Sequence, residues 1–112
     1  MIENTLEKNL EKMREIEMLK DNWNDNNASK FSSNLIEKCK KILNQLKIQP
    51  EIFPTANDSI QFEYQNNTTY LEFEIFEEKI EVYIEVNEKQ IKNCIVENIY
   101  EMNQMINQMK EG

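Results

Sequence analysis

From residue 59 to residue 86 large apolar residues alternate with polar ones. The runs are Ile60-Gln61-Phe62-Glu63-Tyr64, Leu71-Glu72-Phe73-Glu74-Ile75 and Ile80-Glu81-Val82-Tyr83-Ile84-Glu85-Val86. A period of two is that of a strand with one face buried and the other in water. The pattern predicts long strands over residues 59–64, 69–76 and 79–86. A short edge strand is expected near residues 51–53, where Pro50 and Pro54 are tolerated. Asn66-Asn67 suits a tight hairpin turn, and Asn57-Asp58 precedes the first long strand in a similar role. Ile60, Phe62, Tyr64, Leu71, Phe73, Ile75, Ile80, Val82, Ile84 and Val86 should point inward. Glu63, Glu72, Glu74, Glu81 and Glu85 should point outward among Tyr70, Phe76 and Tyr83, with Glu77 and Glu78 on the connecting turn.

The flanking segments carry a different period. Ile2, Leu6, Leu10, Met13 and Ile16, extended by Met18 and Leu19, form one stripe of an amphipathic helix over residues 3–21. Glu3 and Glu7 lie at its amino end and Lys20 at its other end, as the helix dipole favours. A second helix should start at Ser32 as N-cap, with Phe31 and Ile36 as a hydrophobic staple. Leu35, Cys39, Ile42 and Leu46 continue it, widened by Leu43. A third helix is expected from Asn87, whose side chain can cap it with Gln90 at the capping-box position. Ile91, Ile95, Ile99, Met102, Ile106 and Met109 then recur at spacings of four and three. From Ile95 onward the stripe narrows to a heptad-like seam, Met-rich at Met102, Met105 and Met109.

The expected fold is therefore α+β in one domain. Two helices over residues 1–47 precede a four-stranded antiparallel meander over residues 51–86, its first strand short, and a helix over residues 87–110 follows. The helices cover one face of the sheet.

Charge gives this picture a direction. Residues 1–50 hold nine basic and eight acidic side chains, whereas residues 51–112 hold four and thirteen. The formal net charge of −8 thus comes from the sheet half. Lys38, Lys40, Lys41 and Lys47 make the second helix locally basic. A single arginine (Arg14) and the overall balance nevertheless argue against nucleic acid as a direct partner. An acidic sheet face is also repelled by anionic membrane, and it suits a basic protein surface. No window approaches the ~18 apolar residues of a membrane span. The segment Met1-Ile2-Glu3-Asn4 does not resemble a signal peptide, so a cytoplasmic location is expected. Cys39 and Cys94, both on stripes of predicted helices, read as reduced core thiols.

The chain has no histidine, and its sole glycine is Gly112. The commonest general base is missing, and so are the glycine-rich phosphate loops. The glutamates expected on a solvated face would keep low pKa values unsuited to acid catalysis. No catalytic residue, metal site or cofactor is expected.

Around the only tryptophan runs Asp21-Asn22-Trp23-Asn24-Asp25-Asn26-Asn27-Ala28, in which Asn and Asp can take the left-handed conformations glycine usually supplies. Trp23 is expected to plug the gap between the helices and the sheet, with exposure as an interaction anchor as the alternative. A calcium loop is disfavoured, since the glycine and the closing glutamate are missing.

The order Trp23-Asn24-x-x-x-Ala28, then Pro50-x-x-Phe53-Pro54-Thr55-x-Asn57-x-Ser59-Ile60-x-Phe62-Glu63-Tyr64, resembles a family of small bacterial and phage proteins. That family carries a Gly-Trp-Asp/Asn-Gly-Tyr-Gly-Ala-Lys-Pro box, followed by Pro-Thr-Pro-Asp-Gly-Gly-Ile-x-Leu-Glu-Trp and a pair of alternating strands. The resemblance covers about residues 6–86. Asp25 and Asn27 stand where the box has glycines, Asn26 where it has tyrosine, and Asp58 where a later glycine falls. The resemblance implies a helix-helix-sheet fold, a non-catalytic role and an origin near mobile elements and toxin-like genes.

The expected function is that of a small binding protein of the inhibitor type, such as an anti-CRISPR, another anti-defence protein or an antitoxin. It would dock through Glu63, Glu72, Glu74, Glu77, Glu78, Glu81 and Glu85, with Tyr70, Phe76 and Tyr83 as anchors, on a basic nuclease or toxin. The alternative is a homodimer or assembly adaptor joined through Met102, Met105, Ile106 and Met109.

Overall fold

The computed structural model describes residues 4–111. Ile2 and Glu3, placed by the pattern at the start of the first helix, lie outside the described residues. Helix α1 runs Leu6–Glu17 and helix α2 runs Ser33–Gln45. Strands β1 (Glu51–Pro54), β2 (Ile60–Gln65), β3 (Thr69–Ile75), β4 (Ile80–Val86) and β5 (Lys89–Val96) follow, and helix α3 (Ile99–Glu111) closes the chain. The five strands pair antiparallel in sequence order, as a meander. The architecture is α+β.

Helix α1 is shorter than its apolar pattern. Thr5 caps it by accepting from the Lys8 amide at 3.1 Å. Met18, though on the stripe, is exposed beyond its end. Ser32 caps α2 as expected, its hydroxyl accepting from the Leu35 amide at 3.1 Å, and Phe31 and Ile36 are both buried. Between these helices Asn22, Asp25 and Asn27 take positive φ angles of 65, 58 and 66°, doing the work of absent glycines. Trp23 is half-buried against the core and tilts on Phe31 with 5.7 Å between ring centroids. Its indole N–H donates to the Ser29 carbonyl at 3.0 Å, closing the loop on itself beside Phe31, just before α2.

The core lies between the inner sheet face and the helices. Ile52, Phe62, Phe73 and Val82 form one fully buried row across four strands, and Ile60, Ile75, Ile80 and Val96 form a second buried row. Against them pack Met13 and Ile16 of α1, Leu35, Ile36, Cys39, Ile42 and Leu43 of α2, and Met102, Ile106 and Met109 of α3. Burial pushes the Cys39 thiol up to about 12, so it stays protonated and inert. Asn9, buried on α1, donates to the Pro50 carbonyl at 2.9 Å and the Gln49 amide oxygen at 3.0 Å, pinning α1 to the entry of β1.

The segment 87–96 corrects the sequence reading. Asn87 and Glu88 do not open a helix; with φ of 52 and 65° they form the two-residue turn between β4 and β5. Residues 89–96 are a fifth strand, and Cys94 lies half-buried on it rather than on a helix. The third helix starts twelve residues later than expected, at Ile99, capped by the Asn98 side chain accepting from the Glu101 amide at 2.9 Å. The reason is the spacing of four between Ile91, Ile95 and Ile99. Four residues return a side chain to the same face of a strand, and nearly to the same face of a helix. The unsatisfied edge of β4 and the left-handed turn decide for the strand.

Candidate functional site

The register places the outward residues in three rows. The first runs Glu51, Glu63, Glu72, Tyr83, Asn93 across all five strands. The second runs Phe53, Gln61, Glu74, Glu81, Ile95, and the third runs Gln65, Tyr70, Glu85, Gln90. Glu63 therefore stands directly opposite both Glu51 and Glu72, and Glu74 directly opposite Glu81. Like charges at adjacent strand positions, ~5 Å apart between Cβ atoms, cost stability.

These carboxylates are oriented mainly by neutral donors. The Tyr70 hydroxyl donates to Glu72 Oε1 at 2.7 Å, and the Ser59 hydroxyl donates to Glu74 Oε2 at 2.5 Å. The Tyr83 hydroxyl donates to Glu85. Hydroxyl donors fix a carboxylate without cancelling its charge. Among the described residues one ion pair lies within this face, Lys79 with Glu81 at 2.9 Å, at its corner. Lys79 also sits over the Phe76 ring, 4.8 Å from its centroid. At the opposite margin Lys12 of α1 lies 4.7 Å over Phe53. The interior of the face remains strongly negative.

Desolvation raises the Glu63 carboxyl above its ordinary value; the Tyr70 hydrogen bond opposes this, and Glu72 and Glu51 add to it. Burial, with hydrogen bonding to Glu72, pushes the Tyr70 hydroxyl up, so it stays a donor. Tyr70 and Tyr83 meet edge to face, centroids 6.3 Å apart. Glu72, Glu74, Glu81, Tyr83 and Asn93 line a shallow depression of about 150 Å³ at the centre of the face.

Of the expected docking residues, Glu63, Glu72, Glu74, Glu81, Glu85, Tyr70 and Tyr83 share this face. Glu77 does not belong with them. Its carboxylate accepts from the Ser32 hydroxyl at 2.7 Å, and its carbonyl accepts from Lys38 Nζ at 3.0 Å. It is tied to the start of α2, which has no acidic residue in its first turn. Glu78 is exposed on the turn beyond the sheet, and Phe76 is half-covered by Lys79.

The residues of the alternative intermolecular seam lie in the chain's own core, as expected of helices that cover one sheet face. Met102 and Ile106 are fully buried and Met109 nearly so, while Met105 packs partly against the same core. An amphipathic helix following an uncovered apolar sheet face folds back on it first. Sequence reasoning did not name Glu51, Asn93 or Ile95 as members of the outer face. Glu51 was legible, since it alternates with buried Ile52. Asn93 and Ile95 were hidden by assigning their segment to a helix.

No family model, no curated protein and no solved structure matches this chain. No helix among the described residues is long and apolar enough to cross a membrane.

Proposed function

We propose that this chain is a non-catalytic, cytoplasmic binding protein whose acidic sheet face docks on a basic, nucleic-acid-binding surface of another protein. The observation that carries this is the run Glu51–Glu63–Glu72 beside the pair Glu74–Glu81, in which Tyr70 and Ser59 hydroxyls hold Glu72 and Glu74 and, among the described residues, only Glu81 is paired with a lysine. Solubility alone is met as well by mixed signs, which would remove the cross-strand repulsion. A face that retains repulsion gains when a cationic partner arrives, because docking removes the penalty and the field speeds encounter. Tyr70 and Tyr83, half-buried and packed edge to face, supply rigid contact area within the charged field. The partner class that fits is a nuclease or toxin whose nucleic-acid channel the face would occupy, in the manner of an anti-CRISPR, other anti-defence protein or antitoxin.

The test is competition. Wild-type protein and the variant Glu63→Lys/Glu72→Lys/Glu74→Lys are titrated into candidate basic nucleases carrying fluorescent DNA. Displacement by wild type, lost in the variant and weakened by salt, supports the reading. Displacement that persists in the variant or ignores salt overturns it.

A further inference from the structure

The meander leaves two edges of unequal character. At one end β1 has only four residues, ends in Pro54 and is flanked by α1, whose Asn9 and Lys12 reach its entry and its Phe53 ring. At the other end β5 is an eight-residue strand that, among the described residues, is paired on one side only, by β4. Such an edge presents unpaired backbone donors and acceptors, a ready template for another strand.

The side chains of β5 set it apart from its neighbours. It is the one strand of the five without an acidic residue. It also carries Ile91 and Ile95, 63% and 60% exposed, two of the four large apolar side chains most open to water among the described residues. Ile91 is the extra residue of a bulge: Glu85 pairs with Gln90 and Ile84 with Lys92. A chain of net charge −8 resists meeting its own copy through the acidic face. The β5 edge is where that resistance is least.

We propose that two copies of this chain join through β5, antiparallel about a two-fold axis passing by Asn93. This register sets Ile91 of each copy against Ile95 of the other, and Asn93 beside its own counterpart. It also brings exposed Lys89 at one end of the strand to exposed Glu97 of the second copy. Lysine on an edge strand ordinarily deters pairing; here it meets an opposite charge. The axis stands perpendicular to the sheet, so the two meanders form one ten-stranded layer with both acidic fields on the same side. This association does not depend on the identity of the partner that docks on that side.

Lys89 opens β5 and Glu97 follows its last residue, eight positions on and on the order of 26 Å away at about 3.3 Å per residue, too far to pair within one chain. That separation makes charge reversal diagnostic. Light scattering over a concentration series should give twice the 13.5 kDa of one chain. Ile95→Lys should give the single mass with an unchanged circular dichroism spectrum. Lys89→Glu should weaken association by roughly tenfold or more, and Lys89→Glu with Glu97→Lys should restore it. A wild-type chain of single mass at every concentration overturns the proposal, as does a dimer that neither Ile95→Lys nor Lys89→Glu disturbs.

Discussion

Glu63 and Glu72 stand directly opposite each other on β2 and β3, with Tyr70 donating to Glu72 at 2.7 Å and Glu51 on Glu63's other side. Removing one charge from this run should stabilise the fold. Glu63→Gln keeps the shape and removes two like-charge contacts, worth about 0.2–1 kcal/mol each. Chemical denaturation at low salt should show the gain, and added salt should shrink it. A loss of stability would mean that Glu63 holds a compensating contact.

The same carboxyl gives stability a pH dependence. Burial, then Glu72 and Glu51, hold the Glu63 pKa above its unfolded value against the opposing Tyr70 hydrogen bond. A raised folded pKa means the native state binds this proton more tightly. The contribution is fully present below the ordinary glutamate value of 4.5 and is lost as pH rises through the raised one. Relative to wild type, Glu63→Gln should therefore gain more from its substitution at pH 7 than at pH 4.5. Thermal melts of both proteins across that window check the sign.

Asn9 joins α1 to the sheet through its amide donors on the Pro50 carbonyl and Gln49. Asn9→Leu removes both bonds while Asn4 still donates to the Pro50 carbonyl at 3.1 Å, so it should cost about 0.5–1.5 kcal/mol for each bond lost. Hydrogen exchange should localise the loosening to α1, leaving the protection of β3 and β4 in place.

How much of this was legible in the chain depends on whether its periods were unambiguous. Residues 60–86 combine strict alternation with β-branched and aromatic side chains, and the strand ends agree with that pattern to within a residue. The Ser32 cap was equally plain, because a staple pair flanks it. The segment 89–96 was not, since a recurrence of four serves either period and Asn87 caps helices as well as it turns hairpins. The burial of Met102 and Ile106 agrees with the expectation that the helices cover one sheet face; the alternative seam drew on the same residues because an apolar stripe shows that it must be covered and not by what. Glu77 was misplaced because β3 ends at Ile75 and the turn that follows swings Glu77 toward Ser32.

Ile106 is fully buried between α3 and the sheet. Ile106→Ala should cost about 2–5 kcal/mol, and Ile106→Glu should unfold the chain rather than release a folded monomer. Denaturation monitored by circular dichroism distinguishes the two. A folded, soluble Ile106→Glu protein of halved mass would restore α3 as an intermolecular seam.

Asn87 and Glu88 both hold left-handed backbone, at φ of 52 and 65°, in the turn that carries β4 into β5. Asparagine tolerates this conformation, whereas glutamate has neither a short polar side chain to support it nor glycine's freedom. Glu88→Gly produces the Asn-Gly pair that two-residue hairpins favour. The relief of about 1–2 kcal/mol outweighs the roughly 0.4–1 kcal/mol of added freedom in the unfolded chain, a net gain of about 1 kcal/mol. On a domain of this size that is a midpoint rise of roughly 4 °C. The substitution also removes one negative charge, so Glu88→Gln serves as the control for charge alone. If Glu88→Gln raises the melting temperature as much as Glu88→Gly does, electrostatics rather than backbone geometry limits this hairpin.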